Sequence, residues 1–256
     1  MLSNKQVKLI RSLQKKKYRD ISGLYAIEGD KLVREYLEAG EEITLLAGKP
    51  EWIASIPGVQ LKKISDIIEL SYTELKKVSS LSSPHNSLAL VRTRKKELSE
   101  ADIEGNLSLA LDFIQDPGNL GTIIRTAAWF GIKNIICSGN CVDAFNPKVI
   151  QATMGGLLVT DIYYTDLPAF LEQASRKKIN IYAATLDGKS MYEEDLDVNG
   201  IILFGNESTG VSEELIRFVS KKIIIPSGQK PGSGIDSLNV ATSAAIICSE
   251  FLRRKL

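Results

Sequence analysis

The chain has 256 residues, of which 44% are hydrophobic and 25% are charged, and its formal net charge is +1. This composition is typical of a globular protein with one large or two ordinary domains, and it excludes disordered and fibrous classes. No apolar run is long enough to cross a membrane, and the N-terminus has no apolar segment followed by a cleavage site, so the sequence predicts a cytoplasmic protein.

The cysteines and the histidine exclude two further kinds of protein. Cys137, Cys141 and Cys248 are odd in number and irregularly spaced, which indicates a reducing compartment and no disulfide scaffold. Cys137 and Cys141 have no second cysteine pair, and the single histidine, His85, lies in another region of the chain. We therefore expect no metal site.

Residues 1–92 have the pattern of a small α/β domain. Apolar residues at helical spacing alternate with short apolar runs that predict strands. Residues 93–106 are charged and poor in large apolar side chains, so we predict a linker there. The elements predicted in this domain are helices over 4–19, 29–39, 50–55, 66–70 and 74–79, and strands over 24–28, 43–47, 61–64 and 88–92.

The beginning of the chain is strongly basic. Its first nineteen residues hold seven Lys or Arg and no acid, including Lys15, Lys16, Lys17 and Arg19. A solvated helix face explains this cluster as well as a patch that contacts phosphates does, because phosphate contact needs only a local stripe of positive charge.

Residues 107–256 alternate regularly between strands and helices. The strand candidates are short runs that are apolar throughout, a pattern typical of a parallel sheet covered by helices on both faces. Ligands of such sheets bind beyond the carboxyl ends of the strands, which puts candidate sites after Ile114, Phe204 and Ile225. The predicted strands are 108–114, 134–138, 161–164, 180–185, 201–204 and 222–225, and the predicted helices are 119–130, 147–157, 167–178, 213–219 and 237–254.

The first candidate site reads QDPGNLGTIIRTAAWFG after Ile114. Asn119 is a residue type that caps helix N-termini well. Arg125 lies off the core stripe of the following helix, and Gly121 one turn earlier leaves the approach to its guanidinium open. An uncovered cation near a helix N-terminus suits an anionic ligand such as phosphate. The alternative is a surface arginine without a ligand.

The second candidate site reads GNESTGVSEE after Phe204. Gly205 allows close backbone approach and Gly210 permits an unusual dihedral angle. Glu213 and Glu214 match the dipole of the next helix, but Glu207 has no such structural explanation. We therefore take Glu207 as a candidate functional residue.

The third candidate site lies at the start of the last helix. From Leu238 to Leu252 the only charged residue is Glu250, so we expect this helix to be covered on nearly all sides. A glycine-rich loop precedes it, and the helix is predicted to begin at Asp236 or Ser237. Ser237 and Asn239 then lie at the N-terminus of this helix. The sequence has no phosphate-binding GxxxxGK[ST] or GxGxxG motif after an early strand, and no GxSxG motif.

Three motifs in the C-terminal region, NxGxxxR at 119–125, FGNExxG at 204–210 and SLNV at 237–240, resemble the SpoU/TrmH family of RNA ribose 2′-O-methyltransferases. Their order, spacing and position after strands all match, and a further block lies between Asn146 and Gly156. Residues 1–92, with AIEG at 26–29, are similar to the ribosomal-protein-L30e-like RNA-binding domain often fused to such enzymes.

This resemblance implies an α/β-knot methyltransferase domain, in which the C-terminal segment is threaded through a preceding loop as a deep trefoil knot. It also implies a mostly parallel sheet, a homodimer with the knot at its interface, and transfer of a methyl group from S-adenosylmethionine to a ribose of rRNA or tRNA. The loop 227–236 is longer than the family's usual loop, which affects the rim of the pocket.

The resemblance also assigns roles to residues. The cofactor-binding positions are Phe204, Gly205, Asn206, Ile225, Pro226, Leu238 and Asn239. The catalytic positions are Asn119, Arg125, Glu207, Ser237 and Asn239, and the RNA-binding positions are Lys15, Lys16, Lys17, Arg19 and Arg125.

Arg125 resembles the family's catalytic arginine, for which a general-base role is proposed. Its guanidinium, with a pKa above about 12, is a poor base at neutral pH, so positioning a phosphate and stabilising the developing alkoxide is the easier chemistry. Two alternatives stay open: an RNA-binding protein of the same fold without turnover, and a methyltransferase that acts on a base.

Overall fold

The computed structural model describes residues 2–94, 96–228 and 237–254. The chain forms two compact units, residues 1–95 with 145–158, and residues 96–144 with 159–256. Residues 145–158 therefore belong to the first unit, although their predicted helix lies inside the C-terminal region of the sequence. The domain boundary at 93–106 stays a prediction.

The elements up to residue 92 belong to the first unit. They are α1 (Asn4–Ser12), α2 (Lys16–Ser22), β1 (Leu24–Glu28), α3 (Asp30–Glu38), β2 (Ile43–Gly48), α4 (Pro50–Ala54), α5 (Gly58–Leu61), β3 (Asp66–Glu69), α6 (Tyr72–Val78) and β4 (Ser87–Arg92).

The later elements begin with a short helix. They are α7 (Glu100–Ile103), β5 (Leu107–Leu111), α8 (Pro117–Trp129), β6 (Asn134–Ser138), α9 (Pro147–Thr153), β7 (Asp161–Thr165), α10 (Leu167–Arg176), β8 (Asn180–Ser190), β9 (Gly200–Phe204), α11 (Glu213–Ile216), β10 (Lys221–Ile224) and α12 (Val240–Arg253).

The first unit contains a four-stranded sheet in the order β1-β4-β2-β3. The strand β4 is antiparallel to both of its neighbours, and β2 and β3 are parallel. The helix α9 packs against β1, and Ile150 of α9 is buried in the same apolar cluster as Ile27 of β1 and Val33 of α3. This packing explains why residues 145–158 join the first unit.

The predicted helix over 4–19 is wrong in its middle, because the structure has two helices there. The chain turns after Ser12, which lets Ile10 and Leu13 both enter the apolar cluster beneath β4. Arg19 then donates from Nη1 to the carbonyl oxygen of Leu13 at 2.7 Å. That bond satisfies a carbonyl that the end of α1 leaves without a helical partner.

The prediction for residues 61–70 is also wrong, since helix and strand are exchanged. The structure has a helix at Gly58–Leu61 and a strand at Asp66–Glu69 that pairs in parallel with β2. Leu61 and Ile64 are three residues apart, which is helical spacing, and both pack against the core of the first unit.

The second unit contains a six-stranded sheet in the order β10-β8-β9-β5-β6-β7, and all of its pairings are parallel. This confirms the predicted parallel sheet. Each strand is preceded or followed by a helix, and the central strands β5 and β9 are buried throughout. Because β5 and β9 are parallel neighbours, the connections after both strands emerge at the same edge of the sheet.

The last helix begins at Val240 with Asn239 as its N-cap, so the predicted start at Ser237 is wrong. Asp236, the other predicted start, lies outside the described residues. Buried positions repeat along the helix at Val240, Ala244 and Ile247, whereas Thr242 and Ser249 are exposed in the single chain. The trefoil knot stays a prediction. No helix in the described part of the chain has the length and apolarity needed to span a membrane.

Candidate active site

The three predicted motifs meet at the carboxyl edge of the six-stranded sheet. The first lies in the N-terminal half of α8, the second in the connection from β9 to α11, and the third at the N-terminus of α12. Hydrogen bonds between side chains join all three. These residues are far apart in the sequence, and the fold brings them into contact.

The helix α8 begins two residues earlier than predicted. Its N-cap is Asp116, whose Oδ1 accepts from the backbone N–H of Asn119 at 2.8 Å. Pro117 takes the first helical position, where its fixed φ and missing N–H suit it. The prediction that Asn119 caps this helix is therefore wrong. The asparagine lies within the first turn, and its side chain is left for other contacts.

Asn119 is the centre of an amide chain. Its Nδ2 donates to Oε1 of Glu207, and its Oδ1 accepts from Nδ2 of Asn239 at 2.9 Å. Asn239 is fixed in turn, because its Oδ1 accepts from the backbone N–H groups of Ala241 at 3.0 Å and Thr242 at 3.2 Å. These hydrogen bonds fix the orientation of the side-chain amides of both Asn119 and Asn239.

The loop that carries Glu207 is closed by its own backbone. Asn206 and Gly210 exchange hydrogen bonds at 3.1 and 2.8 Å, and Gly210 has a φ of +70°. A Cβ on Gly205 would overlap the backbone of Gly210 and Val211. The close approach predicted for Gly205 and the unusual dihedral predicted for Gly210 are both confirmed.

Asp112 supports the loop that carries Glu207. This role was not predicted from the sequence. This carboxylate is 9% exposed and accepts from the N–H of Ser212, the N-cap of α11, at 2.9 Å. The N–H of Asp112 donates to the carbonyl of Phe204 at 2.8 Å. Asp112 thus ties the carboxyl end of β5 to both ends of the Glu207 loop. The sequence signal that could have identified Asp112 is an acidic residue directly after a uniformly apolar strand.

Cys141 supports the other side of the same strand. Its Sγ accepts from the N–H of Ile114 at 3.2 Å and donates to the carbonyl of Leu111 at 3.3 Å. A hydrogen bond with Cys137 lowers the pKa of the Cys141 thiol to about 7 against the effect of burial. All three cysteines are free thiols, and this one holds the β5–α8 connection to the turn after β6.

Arg125 lies in the third turn of α8 and is exposed. It makes no hydrogen bond or ion pair with any other residue that the structure describes. Gly121, one turn before it, is buried and adds no side chain over the helix. A guanidinium without a carboxylate partner keeps all five donors for an oxyanion.

The predicted cofactor positions are arranged around the third motif. Ile225 is half-buried after β10, Pro226 is exposed, and Leu238 is 47% exposed just before α12. Phe204 is buried at the end of β9, which suits a supporting role beneath Gly205. Ser237 is exposed and has no hydrogen bond to another described residue. Residues 229–236 of the intervening loop lie outside the described part of the chain.

The predicted RNA-binding residues other than Arg125 lie in the first unit, at the junction of α1 and α2. Lys15, Lys16 and Lys17 are exposed, and Lys16 forms an ion pair with Asp20 at 2.9 Å. Arg19 is only 5% exposed and bonds to the carbonyl of Leu13. Its burial removes Arg19 from any surface that contacts RNA.

A cavity of about 390 Å³ lies elsewhere in the second unit. It is lined in part by Tyr182, Asp197 and Lys221, near the amino ends of β8 and β10. Its two basic groups already have partners, since Lys221 bonds to the carbonyl of Asp195 at 2.7 Å and Arg254 to Glu250 at 2.9 Å. The candidate site is therefore the opposite edge of the sheet, where Arg125 has no such partner.

Comparisons with known proteins match both regions of the chain. The model of the SpoU rRNA Methylase family matches residues 106–249, and the MRM3-like substrate binding domain matches residues 4–89. The Bacillus subtilis 23S rRNA (guanosine(2553)-2′-O)-methyltransferase RlmP is 29% identical over 95% of this chain and 94% of its own.

Solved structures show the same similarity over nearly the whole chain. A TrmH-family protein from Porphyromonas gingivalis is 35% identical with a TM-score of 0.88 and covers 99% of both chains. An AdoMet-bound rRNA methyltransferase from Sinorhizobium meliloti is 30% identical with a TM-score of 0.85, and the match covers 100% of this chain and 97% of that one.

Proposed function

The chain belongs to the SpoU rRNA methylase family, and we propose that it transfers a methyl group from S-adenosylmethionine to a ribose 2′-hydroxyl of RNA. The observation that carries this proposal is the amide chain Glu207–Asn119–Asn239, which joins the three motifs, with Arg125 on the same helix as Asn119. The name of the relative RlmP supports rRNA as the substrate class, with tRNA as the alternative.

The residues around the third motif fit the cofactor. Leu238 and Ile225 expose apolar surface at the carboxyl edge of the sheet, where an adenine ring would bury it. Gly205 lets the backbone of Gly210 and Val211 pack closely against it, and Asn206 and Pro226 adjoin the same edge. When bound, S-adenosylmethionine supplies an activated methyl group. Alignment of the hydroxyl and acceptance of its proton are left to the protein and solvent.

Arg125 is the residue that we assign to the developing oxyanion. Its donors have no partner among the described residues, so they are available to hold a phosphate beside the target ribose and to stabilise negative charge on the 2′-oxygen. The amide chain positions the same nucleotide, because Asn119 and Asn239 each have a fixed amide orientation. Ser237 is exposed at the mouth of α12 and is placed to donate a hydrogen bond to the ribose.

The first unit is proposed to hold the RNA. It contains 18 Lys and Arg against 11 Asp and Glu, a net charge of +7, whereas the second unit contains 14 against 20, a net charge of −6. The positive field of the first unit favours a polyanion. Lys15, Lys16 and Lys17 are the exposed cluster that we assign to phosphate contact.

The homodimer, the knot and a cytoplasmic location are part of the same proposal. The helices α8 and α12 pack together, and Trp129 of α8 is 85% exposed. Thr242 and Ser249 of α12 are exposed as well. A second copy packed on α8 and α12 would bury this face of the chain.

Methyl-labelled S-adenosylmethionine and total RNA test the proposal. After incubation, the RNA is digested to nucleosides and the label is located by chromatography. The proposal expects label in a 2′-O-methyl nucleoside from the rRNA fraction. Label in a methylated base would establish a base methyltransferase instead, and RNA binding without any label would establish a binding protein of the same fold.

A further inference from the structure

The backbone of Phe113 has an unusual conformation. Phe113 has a φ of +59°, a region that bulky side chains rarely adopt. Among the described residues, Met154 and Lys178 are the other non-glycine residues with positive φ. Both of these lie at helix C-termini, where left-handed residues are common. Phe113 follows the strand β5 and ends no helix, so this explanation does not apply to it.

The fold holds Phe113 in this conformation from both sides. Its N–H donates to Oγ of Ser138 at 3.0 Å, and its carbonyl accepts from Nδ2 of Asn206 at 3.0 Å. Asn206 is fixed by its backbone exchange with Gly210. A strained residue persists only where its surroundings determine it in this way, and such residues cluster at functional sites.

The ring of Phe113 is not used to build the core. Asp112 and Ile114 on either side are buried, at 9% and 0% exposure, whereas Phe113 is 36% exposed. A phenylalanine kept in a costly backbone conformation without full burial stabilises the fold little. The exposed part of its ring is open to something outside the described chain.

The position of Phe113 indicates what that something is. It lies on the β5–α8 connection, directly before the helix that carries Asn119 and Arg125, and its carbonyl is bonded to the residue before Glu207. Strand β5 lies between β9 and β6 near the middle of the sheet. Ligands of parallel sheets bind at this edge.

We propose that the ring of Phe113 stacks on a nucleobase bound at this site. Exposed aromatic rings stack on unpaired bases, and single-stranded nucleotides are recognised mainly in this way. The inference rests on the proposed function. The expected source is the RNA nucleotide whose ribose Arg125 and Asn119 hold, because Phe113 lies on the connection that leads directly into the helix carrying both residues. The adenine of the cofactor is the other source of the same chemistry.

The test compares Phe113→Leu with the wild-type protein. Leucine keeps the Cβ and the backbone strain but removes the ring, so thermal stability should stay the same. Stacking on an aromatic side chain is worth a factor of roughly 5 to 150 in binding. We therefore expect the dissociation constant and the KM for an unmodified 23S rRNA transcript to rise by that factor. The kcat and the affinity for S-adenosylhomocysteine should stay unchanged, and Phe113→Tyr should restore RNA affinity.

Tyr192→Leu is the matched control, since Tyr192 is also exposed, at 53%, and belongs to neither the β5–α8 connection nor the Glu207 loop. RNA affinity is measured by gel shift as well as by turnover, so that the stacking is scored independently of methyl transfer. Absence of turnover in the wild-type protein would count against the proposed function and leave the gel-shift comparison intact. Unchanged RNA affinity in Phe113→Leu would overturn the inference. A loss of S-adenosylhomocysteine affinity alone would contradict the assignment to RNA.

Discussion

Asn239 Nδ2 donates to Oδ1 of Asn119 at 2.9 Å across 120 residues of sequence. The same Asn239 caps α12 through its Oδ1. One side chain therefore connects the start of the last helix to the first turn of α8. Because Asn119 also donates to Glu207, a change at any member alters the orientation of the others.

Replacing Asn119 with Asp tests the amide chain. The substitution keeps the size of the side chain but places a carboxylate against Glu207 and removes the donor between them. A hydrogen bond to a charged group is worth about 1.5–3 kcal/mol, so kcat should fall roughly 10- to 100-fold or more. Steady-state kinetics check this. Asn199→Asp, at an exposed asparagine outside the site, should keep wild-type turnover, and equal rates for both variants would remove the amide chain from the account.

Replacing Gly205 with Ala tests the closure of the Glu207 loop. The added methyl group would overlap the backbone of Gly210 and Val211, so the loop has to shift. We expect a loss of at least about 3 kcal/mol in the free energy of unfolding and weaker S-adenosylhomocysteine binding by calorimetry. Gly139→Ala has open space around its Cβ and serves as the control. Wild-type stability in Gly205→Ala would show that the loop is loosely packed.

Replacing Lys15, Lys16 and Lys17 with Ala tests the RNA surface of the first unit. Each phosphate contact that is lost reduces the slope of log affinity against log salt by about 0.7 to 0.9. RNA affinity measured by filter binding at several salt concentrations should therefore fall and become less dependent on salt. The double variant Lys62→Ala with Lys63→Ala removes exposed lysines from the same unit and should leave the slope as it is. An unchanged slope in the triple variant would show that these lysines form a solvated helix face that contacts no phosphate.

Replacing Glu250 with Gln tests the end of α12. Hydrogen bonds from Arg253 and then Arg254 lower the pKa of the Glu250 carboxyl to about 2, compared with about 4.3 when unfolded. The folded pKa is depressed, so this stabilisation is present above pH 4.3 and is lost as the pH falls towards 2. With solvent screening, we expect the variant to be about 1–2 kcal/mol less stable at pH 7.

Urea unfolding at pH 7, 5 and 3 measures the effect. The wild-type protein should lose more stability than Glu250→Gln across this range, because the variant has no carboxyl to protonate. Parallel pH profiles for the two proteins would mean that the ion pairs of Glu250 contribute nothing in solution.

The parallel sheet and the three motif loops follow from the sequence because both depend on local patterns. Uniformly apolar strands predict burial on both faces, and glycines mark the turns after them. Gly205 and Gly210 behave as predicted. Short elements are less predictable, since tertiary contacts decide them. Leu61 and Ile64 lie in a helix and the turn after it because their spacing lets both reach the core.

The features that could not be predicted depend on contacts with other residues of the fold. In the sequence Arg19 belongs to a basic cluster, but in the structure its guanidinium donates to the carbonyl oxygen of Leu13. Asn119 looks like a helix cap until Asp116 is seen to take that role. The strain at Phe113 comes from Ser138 and Asn206, and its own residue type gives no signal of it.

The most direct test of the account is methyl transfer by Arg125→Ala and Arg125→Lys, measured as 2′-O-methyl nucleoside formed on the RNA that the wild-type protein labels. Because the guanidinium is exposed and without a partner among the described residues, neither change should unfold the protein. We predict that Arg125→Ala loses turnover while its affinity for S-adenosylhomocysteine stays within a few fold of wild type. Arg125→Lys should recover only part of the rate, because it restores charge without the planar fork. Wild-type turnover in Arg125→Ala would contradict the account.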